Sequence, residues 1–543
     1  MLSPARRVGA WISEKDWAWA FSSTAYRSWA WNVGVLLLVS SAAHHNLPTT
    51  SSSVVTPSSP SSPSSPSLAH PSSSPSSSPA HPPPPPFLPA TLASATSSYD
   101  SQGPLLSRKL ADLERVGIRS SSSSQNSIFN GSSSSSTMLD TQLLKVLVAI
   151  FILVFWTVFW IIHVISIIYG YRKLHRRRAL PMDGEPGVMG VSILKPLVGT
   201  PMDPNLMTNL ETFFTLNYPK FELLFCIQEE GDPSIMIVQQ LMKKHPHVDA
   251  SYFTGGVEVG VNPKINNMQP GYLAAKHELV LVSDSGLLMK EDTLTDMVAH
   301  MTPDVGIVHQ MPFTCDRKGW PAILEKVYFG TSHARMYLFL GLLDAFGFGV
   351  NCCTGMSCLM RKKVLDEDGG ISAFGVYLAE DYFFAKYIQD RGWGIRISSQ
   401  PACQNAGTTR VKGFLSRLTR WCKLRIAMVP HTLLLEPVSE CMVLGLIASW
   451  AGAVLLHADY LTFFLFHTLT WSLADWIMLN IVQNGPPPFS KFEFVISWLF
   501  REISAIFIFV HAVWNPVISW RHKSFKLRWG GIAEPVNTKV AVM

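Results

Sequence analysis

Three aspartates, each placed just after an apolar run, are the first residues of this chain whose type and position suggest chemistry. Asp232 follows ELLFCIQEEG, Asp284 follows ELVLVS, and Asp381 stands in LAEDYFFAKYIQDRGW. A carboxylate in a cavity can take a proton from a hydroxyl or hold a cation. Each acid also has a structural reading. Asp232 before Pro233 could start a turn or helix, Asp284-Ser-Gly could be a turn, and Glu380 with Asp381 could be first-turn charges favoured by a helix dipole. Further along comes SRLTRW (416–421), whose Arg417, Arg420 and Trp421 share one helix face because they are three and four residues apart. Just ahead of an apolar stretch, such a face could rest on anionic lipid headgroups or hold an anionic ligand.

Lesser candidates surround these. Lys264, with Asn262, Asn266 and Asn267, lies in GVNPKINNMQPGY and reads as a polar loop; its ammonium could meet phosphate as a point charge or simply be solvated. Lys195, after VSIL, has the same two readings. His333 in FGTSHARMYLF could touch a ligand, although a lone histidine in an apolar helix also serves as packing.

The elements that must position these side chains follow from patterning. Residues 188–430 carry short β-branched runs, VSILKPL, ELLFCIQ, ELVLVSDSG and VGIVHQMP, separated by helix-like segments. Such alternation predicts a mainly parallel sheet with ligands beyond the carboxyl ends of its strands. The apolar run Tyr328–Phe348 contains Arg335 and Asp344 and could be a membrane span, although it reads better as a groove facing lipid; a span would part Asp284 from Asp381 by a bilayer, which the family resemblance given below speaks against.

Hydrophobic residues make up 47% of the 543-residue chain, with a mean hydropathy of +0.19, which points to a membrane protein. Val146–Tyr169 is an apolar run of roughly 36 Å as a helix, enough to span a bilayer. Arg172, Lys173, Arg176, Arg177 and Arg178 follow it and place its C-terminal end in the cytosol. Apolar stretches recur within 438–515, the last with Arg501 and Glu502 inside it, and a basic tail covers 516–543. An odd number of crossings there would put the C-terminus in the lumen, against the preference of RHKSFKLR for the cytosol. One stretch is therefore a candidate re-entrant or interfacial segment.

Residues 1–140 are a disordered, Ser/Pro-rich extension in character, lumenal by the same charge rule, with the sequon at Asn130 and an apolar patch at 33–43 too short to span. The net charge of +6 gives no reason to propose nucleic acid as a partner. The 8 cysteines show no paired CxxC spacing that suggests zinc and fit a reduced setting. Oligomeric state is not written in the chain.

Taken together, the order Asp232, Asp284, Asp381 and RLTRW resembles the GT-A, family-2-like glycosyltransferases. DPNLMTNLETFF (203–214), GVNPKINNMQPGY (260–272), TGMSCLMRK (354–362) and AEDYFFAK (379–386) resemble the ceramide glucosyltransferase, or glucosylceramide synthase, family from about residue 140 onward. The resemblance implies an α/β GT-A (Rossmann-like) cytosolic catalytic domain, one N-terminal and several C-terminal transmembrane helices, and a Golgi membrane location. It also implies inverting transfer of glucose from UDP-glucose to the primary hydroxyl of ceramide at the lipid bilayer. Asp381 would then be the general base, Asp232 would bind uridine, and Asp284 would sit at the diphosphate and metal. Lys195, Lys264, Arg417, Arg420 and Trp421 would contact the donor side, and His333 acceptor or donor. A Mg2+ or Mn2+ cofactor is the weakest implication, because Ser285-Gly286 follows Asp284 and no second carboxylate of a DxD motif is present. A dolichyl-phosphate type sugar transferase and an inactive transferase-like scaffold are the alternatives.

Overall fold

The computed structural model describes residues 132–176, 188–198, 203–350, 352–407, 409–520 and 523–536. Residues 1–131 of the Ser/Pro-rich extension, with the 33–43 patch and the Asn130 sequon, Arg177, Arg178 and the chain's last residues lie outside the described residues; the end of the extension, expected to be disordered to residue 140, is instead the start of the Ser132–Lys173 helix, which continues into the apolar run.

The strands in chain order are β1 (Val191–Leu197), β2 (Phe221–Ile227), β3 (Ala250–Thr254), β4 (Leu279–Ser283), β5 (Leu287–Leu288), β6 (Val305–His309), β7 (Pro312–Thr314), β8 (Ser357–Arg361), β9 (Gly394–Ile397) and β10 (Ala402–Gln404). Seven of them form the central sheet in the order β3-β2-β1-β4-β8-β6-β9, and β5-β10-β7 form a small second sheet. All neighbours in the central sheet run parallel except β8, which is antiparallel to both β4 and β6. The predicted α/β sheet is therefore mixed. Strands β1, β2 and β4 are almost wholly buried because both faces are covered. Ile193, Phe225 and Leu281 enter one core, and Leu194, Leu224 and Val282 enter the other with Met268 and Tyr272.

Two features of this topology make a crevice. Strand order reverses between β1 and β4, the switch point beyond whose carboxyl ends ligands bind. Because β8 is reversed, its entry loop Thr354–Met356 comes to the same edge, and the Asp284 amide donates to the Met356 carbonyl at 2.9 Å.

The GVNPKINN segment is a helix start, not the loop its polarity suggested. Asn262 caps the Pro263–Ala274 helix by accepting from the Lys264 and Ile265 amides at 2.8 and 3.3 Å, with Pro263 in the first turn. The Tyr328–Phe348 run is divided between the helices Trp320–Gly330 and Ser332–Ala345. Its charges face inward: Arg335 pairs with Asp475 at 3.2 Å, and Asp344 accepts from the Ile395 amide at 2.8 Å.

By length and apolar composition, Asp140–Lys173 and Lys491–Trp514 could cross a membrane, and the bent pair Thr432–Val438 with Cys441–Leu456 could be a third, broken span. The Tyr460–Gln483 helix packs against Cys441–Leu456 and carries the buried Asp475. Asp475 lies 3.2 Å from each of His163, Arg335 and Arg501. Arg501 and Glu502 are 4% and 1% exposed and pair with each other, which resolves their cost inside an apolar helix by facing the bundle.

Beyond these helices the chain forms a third sheet of β11 (Val517–Trp520), β12 (Lys523–Leu527) and β13 (Ala533–Pro535), all antiparallel. It packs back on the catalytic domain. The Gly530 amide donates to the Ala427 carbonyl at 2.9 Å and the Ala533 amide to the Val376 carbonyl at 3.1 Å.

Candidate active site

One cavity of about 870 Å³ opens at the carboxyl edge of the central sheet and is lined by Lys264, Asp284, His333, Asp381, Arg417, Arg420 and Trp421. The sheet and helices thus bring together residues spread over more than a quarter of the chain. Its wall below the acids is apolar, with Met336, Tyr337, Leu340, Leu424 and Met428.

Lys264 is the electrostatic centre. Its ammonium is 3.0 Å from Asp284 Oδ1, 3.0 Å from Glu380 Oε1 and 2.9 Å from the Gly355 carbonyl. Burial works against that charge, but Asp284 and Glu380 outweigh it and hold the ammonium above its ordinary range. Asp284, whose side chain is 41% exposed, keeps an open face toward the cavity.

Asp381 opens the Glu380–Asp390 helix. Its carboxylate accepts from the Gly355 amide at 2.6 Å and from its neighbour Tyr382 at 2.8 Å. Burial, then the charge of Glu380, pushes the group up to about 6, while Lys264 pulls the other way. A group so placed is ionised at neutral pH yet basic enough to accept a proton. Gly355 lets the backbone come close to both charges: a Cβ there would stand 3.1 Å from the Lys264 ammonium and 3.2 Å from Asp381 Oδ2, so those side chains would have to give by a few tenths of an ångström.

The two arginines of RLTRW differ in their commitments. Arg417 binds Glu325 at 2.8 Å and Gln404 at 3.3 Å, and Glu325 is shared with Arg317. Arg420 makes no hydrogen bond or ion pair among the described residues; its guanidinium lies 5.3 Å from the centre of the Trp520 ring. Burial and then Arg417 lower its pKa, with Glu380 and Asp284 opposing. Trp421 packs its indole against Phe329 and His333 at 6.1 and 5.9 Å.

His333 is 6% exposed, ringed by Tyr328, Phe329, Tyr337 and Trp421 at 4.7–5.9 Å. Burial drives its pKa down to about 3, so it is neutral, and its Nδ1 has no hydrogen-bond partner among the described residues. It borders the cavity where the wall turns from polar to apolar.

The sequence profile of glycosyl transferase family 21 matches residues 158–533 of this chain. The chain belongs to glycosyl transferase family 21. Ceramide glucosyltransferase 3 of Caenorhabditis elegans is 45% identical over 373 residues, covering 68% of this chain and 79% of the relative. Ceramide glucosyltransferase of Komagataella phaffii is 27% identical over 457 residues, covering 68% and 88%. Among solved structures, a mannosyltransferase from Pyrobaculum calidifontis in complex with GDP-Man and Mn2+ is a distant likeness, 14% identical with a TM-score of 0.38 over 68% of this chain and 97% of that one.

Two of the residues expected at the donor, Lys195 and Asp232, are not in the lining of this cavity. Lys195 is fully buried on β1: its ammonium donates to the Asp284 carbonyl at 2.7 Å and to Ser283 Oγ at 3.3 Å, and sits 3.6 Å from the centre of the Phe213 ring. It pins the end of β4 from beneath, because lysine at a central strand end can reach the neighbouring strand's carbonyl. Asp232 is 5% exposed and outside the lining of this cavity; its carboxylate accepts from the Ser234 amide at 2.8 Å, at the first residue of the Ser234–Lys244 helix. The helix-start reading of Asp232 describes its visible contact.

The residues present do not build a resident Mg2+ or Mn2+ site. Among the described residues no group of three or more His, Cys, Asp or Glu side chains could hold a metal. Asp284 offers one carboxylate, and the Lys264 ammonium stands beside it where an ion's charge would otherwise be needed.

Reading the sequence missed Glu380 as a partner of Lys264, Gly355 as the amide that holds Asp381, Glu325 and Gln404 behind Arg417, and Trp520. TGMSCLMRK carried a signal for Gly355 through its Gly at a strand start; Trp520 had none.

Proposed function

We propose that this chain transfers glucose from UDP-glucose to the primary hydroxyl of ceramide with inversion, at a Golgi membrane with the catalytic domain toward the cytosol. The supporting observation is a single cavity that joins Asp381, an uncommitted guanidinium at Arg420 and an apolar aromatic wall. The naming of the relatives supplies the donor sugar and the acceptor, and Arg172, Lys173 and Arg176 supply the orientation.

In this reading the ceramide tails lie on Met336, Tyr337 and Leu340, and neutral His333 hydrogen-bonds the polar head near the hydroxyl. Asp381 takes the hydroxyl proton as the oxygen attacks the anomeric carbon. The new C–O bond forms on the face opposite the departing diphosphate, whose bond to that carbon breaks. Arg420 and Lys264 receive the charge that develops on the diphosphate, where preorganised donors act most strongly. Asp284 orients Lys264. The Mg2+ or Mn2+ expected from the sequence enters no step.

The test is radiolabelled UDP-glucose offered to membranes with ceramide, with dolichyl phosphate, or with no lipid. Transfer to ceramide alone is expected, lost at least 100-fold in Asp381→Asn, the scale of a removed general base. Transfer to dolichyl phosphate, or an unaffected Asp381→Asn enzyme, would overturn the reading.

A further inference from the structure

Trp520 is separated from Arg420 by a hundred residues and three apolar helices, yet it lines the same cavity. It ends β11, the first strand after the Lys491–Trp514 helix. Its ring faces the Arg420 guanidinium at 5.3 Å, the contact available to that side chain among the described residues.

The third sheet is fixed to both halves of the site. Lys423, on the arginine-bearing helix, donates to the Val517 carbonyl at 2.8 Å. Tyr377 bridges to Ile532, just ahead of the Glu380–Asp390 helix. Ile518, Phe525, Leu527 and Ala533 share one apolar core with Leu378, Ala379, Leu424 and Ala427. Trp520 is thus held on a strand whose own footing is the segment before Asp381 and the helix bearing Arg420.

A free arginine in a cavity loses most of its many rotamers when it binds, and that lost freedom opposes binding. A flat aromatic face removes part of this loss beforehand. It also stabilises a guanidinium whose burial and whose neighbour Arg417 both disfavour charge.

We propose that Trp520 is a positioning residue for the donor diphosphate: it holds the Arg420 guanidinium extended into the cavity, making the C-terminal sheet part of the donor site. This rests on the transferase reading for its ligand, a nucleoside diphosphate, and not on which lipid accepts the sugar.

The test uses the full chain in detergent, with UDP binding by titration calorimetry and transfer kinetics side by side. Trp520→Ala is expected to weaken UDP binding and raise the UDP-glucose KM by roughly 3- to 30-fold, leaving the ceramide KM in place. Trp520→Phe, which keeps an aromatic face, is expected to recover most of the loss. In an Arg420→Ala background, Trp520→Ala is expected to add little, because the residue it positions is gone. Equal losses in both backgrounds, or a change confined to the ceramide KM, would overturn the proposal. So would unchanged UDP binding in a Trp520→Ala protein. Absence of UDP binding by the unaltered chain would instead overturn the transferase reading, and this proposal with it.

Discussion

At the scale of the residue, Asp381 and Lys264 are one electrostatic unit. Burial and Glu380 raise the Asp381 carboxyl to about 6, and Lys264 opposes them. The base is the ionised form, so activity falls as pH drops through that value. The acidic limb of kcat/KM is therefore expected near pH 6, far above the range of an exposed aspartate. Lys264→Met removes the cation that favours ionisation, so its acidic limb is expected at higher pH as well as its UDP-glucose KM raised. A pH–rate profile with the limb unmoved, or moved downward, would show that Lys264 does not face Asp381 during turnover. A second consequence concerns metal. Because Asp284 already faces an ammonium, Mg2+ titrated into the protein without nucleotide is expected to give no binding heat at the site. Saturable binding abolished by Asp284→Asn would refute that.

At the scale of the element, polar groups inside the apolar helices tie the membrane part to the catalytic domain. Asp475 on Tyr460–Gln483 meets His163 from the N-terminal helix, Arg335 from Ser332–Ala345 and Arg501 from Lys491–Trp514. Trp498 adds a hydrogen bond at 2.8 Å, and Arg501 reaches Thr331 Oγ1 at 2.5 Å. Thr331 and Arg335 flank His333, so this cluster also sets the floor of the cavity. Asp475→Ala would leave the Arg335 guanidinium buried without its carboxylate and Arg501 with Glu502 alone, a loss of about 3–5 kcal/mol for a broken buried pair. The expected outcome is a lower thermal midpoint in detergent together with a raised ceramide KM. Full stability in that variant would mean the arginines find water or another acid. Asp475 was invisible in the sequence as a partner because its ligands come from three other helices, although Arg501 and Glu502 announced by their rarity in apolar surroundings that something must face them. Asp284 and Asp381 were legible for the opposite reason: each follows a local pattern, a buried strand or a helix start, that fixes where its side chain emerges. Asp232 follows such a pattern too, but the helix-start reading of the same pattern accounts for its contact. Lys195 could not be placed from the sequence, because a strand's last residues look alike whether they point into a cavity or across to the next strand; here its ammonium reaches across to the end of β4.

At the scale of the whole chain, the C-terminal sheet bears on a question of topology that charge counting left in conflict. The Val411–Met428 helix and β11–β13 pack on the same catalytic domain, and we propose from this that an even number of crossings lies between them. Cys441–Leu456 and Tyr460–Gln483 pack together across a short connection, and Arg425 pairs with Glu436 just before the first of them. In this proposal the two helices form an out-and-back hairpin, although by length and apolar composition only the first of them belongs to a candidate span. Lys491–Trp514 is long and apolar enough to span, yet residues along its length touch the catalytic domain: Phe500 meets Trp320 at 5.1 Å, Arg501 meets Thr331, and Ala512 packs with Cys422 and Ile426. Its opposite face exposes Phe492, Val495, Ile503, Phe507, Val510 and Trp514. A helix with protein along one face and apolar side chains along the other suits the membrane surface, lying in its plane. Composition alone could not distinguish this from a span, because the apolar content is the same and only the contacts differ. With the catalytic domain in the cytosol, a glycosylation sequon placed between Leu456 and Tyr460 is expected to be modified, and sequons placed between Gln483 and Lys491 or after Pro535 are not. Modification after Pro535 would mean that Lys491–Trp514 crosses, and would detach Trp520 from the cavity it lines here.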